Sequence, residues 1–160
     1  MYKTILISLL STLFIGCSSS TNALKNFETD VIEAKSIQHT KKTDVKENNE
    51  PKALMWATYL NNIKHKDFKL KKETFLISLY FVDKKDINLK DSGYTLTLNG
   101  KKPISIKAID KKEYKYKSLL KKNPWAQNYL VEFKRMKRVY KLDLTLSNSN
   151  TSSEPLKFEK

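Results

Sequence analysis

Beyond Pro51 apolar and polar residues alternate with a period of two, in short runs separated by Asn, Asp, Lys, Gly and Pro. That spacing predicts strands, because successive side chains of a strand point to opposite faces. The runs fall at residues 54–60, 74–82, 94–98, 104–109, 129–133, 139–146 and 156–158. The second is apolar on nearly both faces and is expected to be a central strand covered on two sides. Asn99-Gly100 supplies the positive φ angles of a type I′ turn, so runs 94–98 and 104–109 are expected to pair as a hairpin, with Pro103 at an edge or strand start. Residues 110–128 interrupt the alternation, and within them 113–121 are expected to make a helical turn or two, ended by Asn123-Pro124-Trp125. Trp56 and Trp125, with Tyr129, are expected in the core. Seven short strands, little helix and no disulfide predict an all-β, immunoglobulin-like antiparallel sandwich over residues 53–160. A closed barrel is the second choice. A membrane barrel, whose strands need about ten residues each, is not supported.

Residues 17–52 read differently. Apolar residues are sparse, and the stretch opens Ser18-Ser19-Ser20-Thr21-Asn22. Such a segment buries too little surface to offset the entropy of ordering, so a flexible tether is expected. Its reach is roughly 30 to 35 Å by random-coil scaling. Within it Leu24, Phe27, Val31 and Ala34 recur at helical spacing and predict a short helix over 24–37.

Ahead of the tether, Lys3 is followed by an apolar run from Ile5 to Ile15, then Gly16 and Cys17, the single cysteine. This is the anatomy of a secretory leader and is too short to span a bilayer. Leu13-Phe14-Ile15-Gly16-Cys17 resembles the lipobox of bacterial lipoproteins, with Phe14 where that family usually has Leu. The resemblance implies removal of residues 1–16 as a signal peptide, lipidation of Cys17 and anchorage to a membrane through that lipid. Two or three acyl chains hold stably where one does not. By the same resemblance Ser18, not being Asp, favours the outer membrane facing the periplasm. A lipidated Cys17 leaves no thiol for a disulfide, a metal or a nucleophile.

Charge then becomes informative. The chain carries a net +14, and loss of Lys3 with the leader leaves 30 basic against 17 acidic residues. Residues 17–52 are neutral, so the remaining +13 falls on residues 53–160. The 31 bases of the full chain are 29 Lys and only Arg135 and Arg138, a bias that suits solubility as readily as recognition. Three clusters stand out: Lys64 to Lys72 around His65; Lys111 to Lys122 around Tyr114 and Tyr116; and Lys134, Arg135, Lys137, Arg138 and Lys141, with no acid among them. The third is expected to concentrate its charge at one hairpin and is the preferred contact site for an anionic partner, an envelope protein or an anionic polymer.

Signs of catalysis are few. His39 and His65 lack a second ligand at strand or helix spacing, and no Gly-x-Ser-x-Gly elbow or Gly-rich phosphate loop is present. Asp83, Asp86 and Asp91 are interleaved with lysines and read as turn formers. Glu132 and Asp143 alternate with apolar neighbours and are expected to face solvent. The reading is therefore a non-enzymatic envelope lipoprotein, with no metal, no cofactor and no nucleic-acid partner, whose sandwich binds another envelope component. Alternatives are an assembly lipoprotein resembling that of type VI secretion systems, on architecture alone, or a cell-wall-modifying enzyme. A lysozyme-inhibitor role fits poorly, because a +13 domain repels a basic target.

Overall fold

Alternating burial runs through eight strands of the computed structural model, which describes residues 31–63, 70–83, 87–110, 116, 119–120 and 125–160. The leader, Cys17 and the first part of the expected tether, up to residue 30, lie outside these residues, as do Lys64, Lys66 and Lys69 of the first basic cluster and every lysine of the second. Residues 31–38 are helical, in keeping with the period read at 24–37. The strands are β1 (Thr40–Glu47), β2 (Glu50–Tyr59), β3 (Glu73–Phe81), β4 (Thr95–Leu98), β5 (Ser105–Ile109), β6 (Gln127–Phe133), β7 (Lys141–Ser147) and β8 (Leu156–Glu159). Each of the seven runs read from the alternation is a strand, and β1 is an addition.

Two antiparallel sheets form, with orders β1-β2-β3-β6-β5 and β4-β7-β8. Without β1, this is the strand order of a constant-type immunoglobulin sandwich, in which the first, second, fifth and fourth strands face the third, sixth and seventh. Val45, Met55, Phe75, Ile77, Val131 and Phe133 of the larger sheet share one buried cluster with Leu96, Leu98, Leu142, Leu144 and Phe158 of the smaller. Phe75 lies at its aromatic centre, 4.9 Å from Tyr59, 6.0 Å from Phe133 and 5.3 Å from Phe158 between ring centroids. β3 is central and covered on both sides, as its pattern predicts. Its outer face places Leu76 in a second cluster with Leu60, Ile63, Ile109, Tyr116, Leu119 and Leu120.

Several expectations are corrected. The boundary at residue 52/53 is too late, because β1 and the start of β2 occupy 40–52 and Ile32–Lys160 is one compact unit. β1 reads as tether because it is an edge strand whose inward face has only Thr43 and Val45 to bury. Its turn is marked by Asn48 and Asn49, both at positive φ (53° and 66°), which Asn tolerates better than other non-glycine residues. The Asn99-Gly100 turn forms, with Asn99 at φ 48° and Gly100 at φ 74°, and Leu98 and Lys101 exchange backbone hydrogen bonds. It does not make a hairpin of the flanking runs. After Lys101 the chain crosses sheets: β4 pairs with β7, whereas Ile104 N–H donates to the Glu132 carbonyl and β5 pairs with β6. Pro103, lacking an N–H, cannot continue a ladder there. Residues 134–140 likewise cross between sheets instead of closing a hairpin, since β6 and β7 lie in different layers.

Two tryptophans also differ from expectation. Ala53, Met55, Ala57 and Tyr59 take the inner face of β2, so Trp56 faces outward, half-buried, with the Lys42 ammonium 5.4 Å from its ring centroid. Trp125 is exposed, preceding β6 rather than closing the sandwich. Tyr129 is buried as expected, its hydroxyl accepting from Leu89 N–H.

Candidate functional site

The register places one set of ends together: the end of β2, the start of β3, the end of β6 and the start of β5 in one sheet, with the end of β4, the start of β7 and the end of β8 in the other. All five residues of the preferred contact site, Lys134, Arg135, Lys137, Arg138 and Lys141, are exposed at this pole, with Tyr140 beside them. Lys71, Lys72, Lys101, Lys102 and Lys157 reach the same pole from other elements. The fold thus assembles a larger basic surface than any single run of sequence displays.

What holds the 134–140 loop is a buried carboxylate that the sequence reading did not single out. Glu73 is 1 % exposed. It accepts from the Tyr59 hydroxyl (2.5 Å), the Met136 backbone N–H (3.1 Å) and the Lys160 ammonium (2.6 Å). Lys160 also donates to the Met136 carbonyl, and its own N–H donates to the Tyr140 carbonyl. Lys160 therefore ties the middle of the loop at Met136 to its end at Tyr140, and Glu73, the first residue of β3, holds Met136 from beneath. Burial alone pushes the Glu73 carboxyl upward, but the hydrogen bonds from Lys160, Tyr59 and Met136 outweigh it and hold the group below the usual carboxylate range. Burial, followed by the neighbouring Glu73 carboxylate, raises the Tyr59 phenol, which stays protonated as a donor. The signal for Glu73 was its parity: it shares the inner face of β3 with Phe75, Ile77, Leu79 and Phe81.

Glu132 and the Asn99-Gly100 turn lie around this loop. Glu132 is partly exposed and pairs with Lys72 at 2.7 Å. The Asp143 N–H donates to the Asn99 side-chain oxygen at 2.7 Å, and the Asn99 amide donates to the Lys141 carbonyl, so the Asn-Gly turn braces the start of β7. Among the described residues no three His, Cys, Asp or Glu side chains gather as metal ligands, and no helix is long and apolar enough to cross a membrane. No buried side-chain nitrogen or oxygen among them lacks a hydrogen-bond partner. Like charges gathered on one surface produce a positive potential above it. Comparison of the chain with protein-family models, with curated proteins and with solved structures finds no match in any of the three.

Proposed function

We propose that this chain is a non-enzymatic, lipid-anchored envelope protein whose sandwich meets an anionic envelope component through its basic pole. The observation that carries the reading is the exposed loop from Lys134 to Lys141, five bases with no acid, held in one geometry by Glu73 and Lys160. A fixed display of charge loses less entropy on binding than a mobile one, which favours recognition over solubility as the role of these bases. The Gly16-Cys17 signature supports lipid anchorage, with the outer membrane facing the periplasm as the proposed location.

Two experiments test this. The triple variant R135E/K137E/R138E should lose about tenfold in salt-sensitive retention on an anionic envelope fraction, taking roughly 0.5 kcal/mol for each rim charge. Unchanged retention would reduce the loop to ordinary surface. Metabolic labelling with a palmitate analogue should mark the native chain and not the Cys17→Ala variant; equal labelling of both would end the anchorage proposal.

A further inference from the structure

At the same pole, along the seam where the β1 edge meets β8, lies a recess of about 370 Å³. Lys41, Lys141 and Lys157 line it, and none of the three forms an ion pair among the described residues. Glu159 supplies the only carboxylate of the lining. The recess is therefore a concave spot of net positive charge, where field lines concentrate more than over a convex loop.

Its walls are built rather than loose. The Lys41 ammonium sits 5.7 Å from the centroid of the buried Phe158 ring. Asn62, closing a short turn (Leu60–Asn62), donates to the Glu159 carbonyl at 2.7 Å. His39 is pinned through its backbone, its N–H shared between the Lys35 and Ser36 carbonyls and its carbonyl accepting from Tyr59 N–H. The volume falls in the range of small-molecule sites and exceeds what a bare oxyanion fills. Gln38, His39 and Asn62 add neutral polar groups suited to hydroxyls. Every charged donor is a lysine, a point charge without the arginine fork, and three of them against one carboxylate suit a doubly charged phosphate ester better than a singly charged carboxylate.

We propose that this recess binds a phosphorylated sugar unit, one ring in size, such as an envelope glycan or glycolipid presents. The proposal rests on reading the basic pole as an anion-facing surface, with which the recess shares Lys141, but it places the specific contact beside the loop instead of on it.

Saturation-transfer NMR on the full chain in detergent, with glucose 1-phosphate as the probe, tests it. Glucose 1-phosphate should give a signal that K41E/K157E lowers at least tenfold in affinity and that R135E/K137E/R138E leaves within twofold. K41Q/K157Q serves if the reversed pair fails to fold. Inorganic phosphate should compete at least threefold more weakly than unlabelled glucose 1-phosphate, and glucose should give no signal. Equal competition by phosphate, a signal with glucose, equal or tighter binding of glucuronate, or undiminished binding by the recess variants would overturn the assignment. Loss of glucose 1-phosphate binding in the loop variant alone would also overturn it while leaving the broader function standing. Retention of the envelope fraction by the loop variant would instead count against that broader reading.

Discussion

The two poles of the sandwich use the same strands to opposite electrostatic ends. At one, the 134–141 loop, the Asn99-Gly100 turn and the end of β8 gather bases, and the acid that matters most, Glu73, is buried beneath them. At the other, Glu47, Glu50, Asp83, Asp91 and Glu154 lie at strand ends and in the connections between strands, and a recess of about 260 Å³ includes Glu47, Lys52, Asp83 and Tyr94 in its lining. There Lys52 sits 3.2 Å from both Glu50 and Asp83, and these two hold its ammonium above the ordinary lysine range. The difference lies in depth. A carboxylate inside the fold ties backbone to backbone and so fixes what is displayed above it; carboxylates in solvent offset a neighbouring charge and position little.

The largest expected effect comes from the packing beneath the basic pole. Phe75→Ala should cost about 3 to 5 kcal/mol in chemical denaturation, because the ring touches Tyr59, Phe133 and Phe158; a loss under about 1 kcal/mol would mean that the pole does not stand on this cluster. Glu73→Gln comes next, at about 1.5 to 3 kcal/mol, since it keeps the shape but removes the charge from its hydrogen bonds. The sign with pH follows from the lowered folded-state carboxyl: its stabilisation is complete above the unfolded-state value near pH 4.3 and disappears as pH falls through the lower folded-state value. Native and Glu73→Gln proteins should therefore converge in stability on acidification, and parallel curves would separate Glu73 from the acid response. Gly100→Ala should cost about 1 kcal/mol through its φ of 74°, with free space around the new methyl group. Smallest is Lys52→Ala at the opposite pole, for which no measurable shift in thermal midpoint is expected; a clear loss would show that the exposed acids also do structural work.

How legible these poles were in the sequence depended on the range of the interaction. Strand existence is local: a core strand must alternate, so β2 through β8 could be read, and β3 could be placed at the centre from its double apolar face. The turn residues were equally readable, yet Asn99-Gly100 misled about partnership, because a tight turn sets two or three residues and says nothing of which sheet receives the chain beyond Pro103. β1 was hidden because an edge strand with one apolar side chain resembles a solvated linker. Trp56 shows the same limit, for its type suggests the interior while its parity turns it outward.

The five bases from Lys134 to Lys141 were visible as a charged run, but neither their anchor nor their surroundings were. Glu73 meets Met136 across 63 residues and Lys160 across a longer stretch still, while Lys41 and Lys157 share a recess from opposite ends of the folded unit. The order of residues alone determined which segments become strands, where turns tighten and that the surface is strongly basic, since each follows from a few adjacent side chains. The tertiary structure alone decided how strands divide between sheets, which carboxylate is buried and which cations converge. Those outcomes depend on contacts between distant segments, whose free energy exists only once the chain has closed around a common core.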